Sequence, residues 1–93
     1  MATFFMFGKY SSEALKGISD SRTKQAVKLI ENMGGKVNSI YIMLGKYDLV
    51  LIVELPGVEE ALKASVMLNK LSGITFTSAP AIPADRFDKI ISN

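Results

Sequence analysis

Residues 44–56 read LGKYDLVLIVELP and place one acid, Asp48, at the mouth of a run of five unbroken apolar residues. A carboxylate beside that much apolar surface needs a partner or a purpose. Tyr41 precedes it by seven positions. Pairing across a hairpin would put the two on one sheet face, diagonal on neighbouring strands and within reach of each other. In a cleft, Asp48 would serve as a general base or as an acceptor for a polar ligand group, with Tyr41 as a hydrogen-bond donor. Met43 and Val50, on the same face, would supply the apolar lining. The competing account is structural: Asp48 caps the hairpin by accepting backbone or hydroxyl hydrogen bonds, and Tyr41 packs in an interface.

The remaining charged residues offer less. Glu54 sits at the far end of the same strand, about 20 Å from Asp48 at strand rise, too far for a paired-carboxylate mechanism. It reads as a solvated strand end. Lys9 and Arg22 would suit an anionic ligand, but lone surface cations are ordinary. The adjacent acids Glu59 and Glu60 complement a helix N-terminus.

The chain of 93 residues contains no His, no Cys and no Trp. Without Cys there are no disulfides, thiolate nucleophiles or thiolate metal sites. Without His, the usual neutral-pH acid–base and the commonest metal ligand are gone. No metal and no cofactor are therefore expected. Eleven Lys and Arg against nine Asp and Glu give a net charge of +2, and the cations are scattered rather than striped, so no nucleic-acid partner is expected. The longest apolar run falls far short of a membrane span. The opening MATFFMFGKY has no basic leader and is broken by Lys9, so it reads as a strand rather than a signal peptide. The expected setting is cytoplasmic, with no membrane partner.

The elements that would position Asp48 and Tyr41 follow from the pattern. Aromatic-rich residues 3–7 form a first strand running to about Tyr10. Ser11 and Ser12 start a short helical turn that ends at Gly17. Ser19, Asp20 and Ser21 cap a helix over residues 22–33 with Ala26, Leu29, Ile30 and Met33 at helical spacing, stopped by Gly34 and Gly35. Residues 36–44 and 47–55 form a hairpin about a two-residue turn, Gly45-Lys46, which suits type II′. Pro56 and Gly57 open a helix to about Leu71. Residues 74–79 form a fourth strand, Pro80 and Pro83 bound an extended piece, and residues 84–92 end as a short amphipathic helix. The order β-α-β-β-α-β predicts one ferredoxin-like α+β sandwich over residues 1–93: a four-stranded antiparallel sheet with two helices on one face.

A two-residue turn would fix the register. It pairs Leu44 with Tyr47, Ile42 with Leu49, Ile40 with Leu51 and Asn38 with Val53 on the face given to the helices. Tyr47 is thus expected in the core. The other face pairs Met43 with Asp48, Tyr41 with Val50, Ser39 with Ile52 and Val37 with Glu54. Phe4, Phe5, Phe7 and Tyr10 of the first strand are read as core. With two helices covering one face, the second leaves an apolar area of about 400 Å², close to the limit a monomer exposes. A second copy packed sheet to sheet is the simplest cover. The C-terminal segment is the competing one, and a spare stripe of Ala64, Met67 and Leu71 could instead receive its Phe87, Ile90 and Ile91.

Tyr41, then LGKYDLVLIVELP, after a helix ending in Met33-Gly34-Gly35, resembles the GYD-domain family. Gly45, Tyr47 and Asp48 match its name-giving motif, with Lys46 inserted after the glycine. The resemblance covers roughly the first two thirds of the chain and is weak after Gly73. It implies a ferredoxin-like subunit pairing into a dimeric α+β barrel, and no particular activity. One departure is Gly57, where relatives often carry an acid after the proline, so helix capping there is expected to differ.

The resulting expectation is a homodimer binding a small organic molecule in a cleft between sheet and dimer mate, lined by Tyr41, Asp48, Met43 and Val50. The alternatives are a cofactor-free oxygenase or isomerase using Asp48 and Tyr41, or a pure oligomerisation module.

Overall fold

The computed structural model describes residues 1–92. Its elements are β1 (Ala2–Lys9), α1 (Ser12–Lys16), α2 (Asp20–Asn32), β2 (Lys36–Ile42), β3 (Leu49–Leu55), α3 (Val58–Ser72), β4 (Thr75–Ala81) and α4 (Ala84–Ser92). The strands form the four-stranded antiparallel sheet predicted from the sequence, in the order β2-β3-β1-β4. Among the described residues, no helix is long and apolar enough to cross a membrane.

Local chemistry sets the helix ends. Ser11 and Ser19 are extended N-caps whose hydroxyls accept from the amides of Ala14 and Arg22, each at 3.0 Å. α3 begins at Gly57, which has no side chain to cap with. Its first turn carries Glu59 and Glu60, whose charge favours a helix N-terminus. Arg22 is not a free cation: its guanidinium donates to the Ala14 carbonyl at 2.6 Å, tying α2 to α1.

Strand alternation divides the sheet into two faces. On the helix side, Phe4, Met6, Leu49, Leu51, Val53 and Leu55 join Ile30 of α2 and Ala61, Ala64 and Leu68 of α3 in one buried cluster. Each large side chain removed from water there contributes roughly 1.5–3 kcal/mol. Ala64 belongs to this core, so it is not part of a spare stripe. Gly35 is needed where α2 meets the sheet, because a Cβ there would come within 2.6 Å of the Glu54 carbonyl and of Leu55 Cδ2.

Two features of the hairpin differ from the two-residue design. The pairs Ile42–Leu49, Tyr41–Val50, Ile40–Leu51 and Ser39–Ile52 form as expected, but a bulge at Asn38 then shifts the register, pairing Val37 with Val53 and Lys36 with Glu54. Val37 thereby reaches the helix-side core, and the Asn38 amide turns to donate to Glu54 Oε2 at 3.1 Å. The bulge gains an apolar contact that a strict ladder would have sent to the other face. The strands also end earlier, at Ile42 and Leu49. Met43 still donates to the Asp48 carbonyl at 2.7 Å, but residues 44–47 form an open loop with Gly45 at φ +132°.

β4 extends through Pro80 to Ala81. An edge strand accepts proline because one row of its backbone donors has no neighbour. α4 then leaves the body with no buried residue. It neither covers the open sheet face nor docks beside Met67 and Leu71, and its apolar side chains stay exposed.

Candidate functional site

The face without helices is a floor of ordered rows. Across β2, β3, β1 and β4, the pairings align Ser39, Ile52, Phe5 and Ala79 in one row and Tyr41, Val50, Phe7 and Thr77 in the next. Both rows have an apolar or aromatic centre. Asp48, Lys9 and Thr75 bound them at one end of the sheet, and Glu54, Thr3 and Ala81 at the other. Phe5 and Phe7 are half-buried here rather than core, with ring centroids 6.3 Å apart. The alternation FFMF in β1 is apolar in both phases, so its composition alone could not say which phase the helices would cover.

Tyr47 also belongs to this face. Its ring lies 5.1 Å from that of Phe7, with Lys46 Nζ 5.7 Å from the Tyr47 centroid. The expectation of a core position fails because residues 44–47 leave the ladder, and strand alternation no longer dictates where Tyr47 points. The signal that could have found it is the pair itself: an aromatic beside the hairpin loop prefers a tilted aromatic neighbour to water.

Asp48 is committed at three points. Its amide donates to the Gly8 carbonyl at 2.8 Å, and its carbonyl accepts from Met43. Its carboxylate oxygen Oδ2 accepts from the Tyr10 amide at 2.8 Å. Lys9 Nζ lies 3.9 Å from the same oxygen, with the Lys9 side chain more than half exposed, so this ion pair adds little. The acid therefore satisfies a donor just past the end of β1, where no strand partner remains. This is backbone capping, directed to β1 rather than within the hairpin.

Tyr41 is 59% exposed. Among the described residues, no hydrogen bond joins it to Asp48. It shares the Val50–Phe7 row, one row removed from Asp48, on the opposite side of β3 from the Tyr10 amide. Val50 is buried, and Met43 is half-buried beside Asp48. The arrangement thus offers an apolar aromatic floor with the exposed phenol of Tyr41, and a carboxylate already engaged. Among the described residues, no group of three or more Asp or Glu is placed to hold a metal ion. A groove of about 780 Å³ lies elsewhere, along α2 beside Leu71. It is open to solvent on the helical layer and touches none of the residues above.

Comparison with known proteins places this geometry. The GYD domain family matches residues 4–91, nearly the whole chain and well beyond Gly73. No curated protein matches. Among solved structures, the leucine response regulatory protein LrpA of Mycobacterium tuberculosis superposes with a TM-score of 0.59 at 13% identity, over 89% of this chain and 51% of that one. An AsnC family transcriptional regulator from Agrobacterium tumefaciens gives 0.58 at 20% identity, over 88% of this chain and 50% of that one. The chain spans about half the length of these structural neighbours, and at such identity the likeness is one of fold. The chain belongs to the GYD domain family.

Proposed function

Taking GYD-family membership as the premise, we propose that this protein is a homodimeric small-molecule-binding module. Two copies pack through their open sheet faces, and the ligand lies between them. The observation that carries the reading is the floor itself: two rows centred on Ile52, Phe5, Val50 and Phe7, with Tyr47 stacked on Phe7 and Tyr41 exposed at the β2 edge of the same row. Such a surface suits a compact organic molecule with an apolar or aromatic body and one polar group for the Tyr41 hydroxyl. The proposed lining is Tyr41, Met43 and Val50, joined by Phe5, Phe7 and Tyr47. The resemblance to half of a leucine response regulator supports a ligand of amino-acid size. The proposed setting is cytoplasmic.

An enzymatic reading would need Asp48 as base, and its carboxylate already accepts the Tyr10 amide. A pure oligomerisation module would leave no space between the paired faces. The test is titration with L-leucine, L-phenylalanine and indole, followed by calorimetry. At least one probe is expected to bind, with Tyr41→Ala and Phe7→Ala weakening it about tenfold or more, on the scale of one lost aromatic contact. A dimer that binds none of them, with a dry and filled interface, leaves the oligomerisation module. A monomer at micromolar concentration in sedimentation equilibrium overturns the pairing.

A further inference from the structure

Two apolar stripes on this chain face solvent although each has the dimensions of a helix contact. On α4, Phe87, Ile90 and Ile91 lie on one side, each more than half exposed. On the outer side of α3, Val58, Leu62 and Val66 repeat every four residues and are likewise more than half exposed. The α3 stripe is about 12 Å long at helical rise, and the α4 stripe, counted from Ala84, about 10 Å. We infer that α4 is an exchanged arm: it packs its apolar side on the Val58–Leu62–Val66 stripe of a second copy of this chain, reciprocally. The inference rests on the homodimer reading for its second copy and goes beyond it in assigning α4 and the outer side of α3.

Four observations select that occupant. First, the connector directs the arm outward. Pro83 biases Ile82 toward extended backbone, so the chain continues along β4 instead of turning back onto its own α3. The chain measures 49 × 30 × 19 Å with a radius of gyration of 14.0 Å, against about 12 Å for a compact chain of this length. Second, the two stripes occur once per chain, so exchange about a two-fold axis satisfies both in both copies and closes the assembly. Third, neither surface carries an excess of charge. Arg86 and Asp88 border the α4 stripe on opposite sides, and Glu59 and Lys63 lie together along one side of the α3 stripe. α4 itself carries Asp85 and Asp88 against Arg86 and Lys89, with no cationic excess to favour an anionic lipid surface. Fourth, the areas call for it. The open sheet face offers a footprint of about 400 Å², whereas a stable interface usually takes about 800 Å² from each partner. The arm leaves from β4, the rim strand of that face, so its contact is continuous with the sheet pairing.

The chain lacks cysteine, so a Leu62→Cys, Ile90→Cys double variant carries the only two thiols, both at exposed positions where the fold is indifferent to the change. With a short bis-maleimide, the expected product is a covalent dimer, formed also when the two single variants are mixed. Monomer mass with both thiols consumed would mean that α4 folds back on its own α3, and would overturn the exchange. Absence of cross-linking in a protein that sediments as a dimer would overturn the exchange and leave the sheet pairing intact. Absence of cross-linking in a protein that sediments as a monomer would overturn both.

Discussion

The two faces of the sheet are built from nearly the same amino acids and meet opposite fates. β1 gives Phe4 and Met6 to one face, Phe5 and Phe7 to the other. β3 gives Leu51, Val53 and Leu55 to one, Val50 and Ile52 to the other. The first set is packed under α2 and α3 until almost nothing is exposed, while Phe5, Phe7 and Ile52 remain half-buried. Hydrophobicity therefore does not decide which face is core; the helices do, by where their connections let them lie. The covered face uses its apolar residues for stability, and the uncovered face keeps an equivalent set available for another molecule.

Truncation on each face tests that contrast most strongly. Leu55→Ala should cost about 2–5 kcal/mol, the range for a fully buried leucine that leaves a cavity, at any protein concentration. Ile52→Ala should cost about 1 kcal/mol in dilute protein, because the side chain is already partly in water. Its cost should grow with concentration as the second copy covers it. Denaturant midpoints at several concentrations measure both, and equal losses in dilute protein would erase the distinction between the faces.

The tightness of the covered side can be probed by adding an atom instead of removing several. Gly35→Ala pushes a methyl against the Glu54 carbonyl and Leu55 Cδ2. The backbone oxygen cannot step aside as a side chain would, so a loss of about 1–3 kcal/mol is expected. A neutral result would mean that the α2–β2 connection is looser than its contacts indicate.

The smallest expected effect lies at the rim of the open face. Asp48→Asn keeps an acceptor for the Tyr10 amide but loses its charge, and should lower stability by about 0.5–2 kcal/mol. Binding of whichever small molecule the protein takes should be unchanged. Denaturant midpoint and calorimetry on the same variant decide the matter. Altered binding at unchanged stability would return Asp48 to the site and revive the enzymatic reading.

Most of the fold was legible because it depends on local signals. Ser11 and Ser19 announced the starts of α1 and α2. Gly34 marked where α2 stops. The apolar run after Asp48 marked β3, and the order of elements limited the topology. The candidate site was legible only in part. Tyr41 and Val50 fell on the open face as strand alternation requires. Tyr47 did not follow alternation, because its loop leaves the ladder. Phe5 and Phe7 could not be assigned, because β1 is apolar in both phases. The donor that Asp48 meets was not legible either, because its carboxylate lies beside the Tyr10 amide, a contact between residues 38 positions apart.

The sequence by itself determined the elements, their order, the absence of thiol and imidazole chemistry, and an excess of apolar surface over what two helices can cover. Each of these follows from composition or from spacing within one element. Tertiary structure alone decided the bulge at Asn38 that carries Val37 into the core, the stacking of Tyr47 on Phe7, the use of Asp48 by β1, and the departure of α4 from the body. Each of these is a competition between distant partners for one side chain or one backbone group, and its outcome depends on which surfaces the packed chain brings within reach.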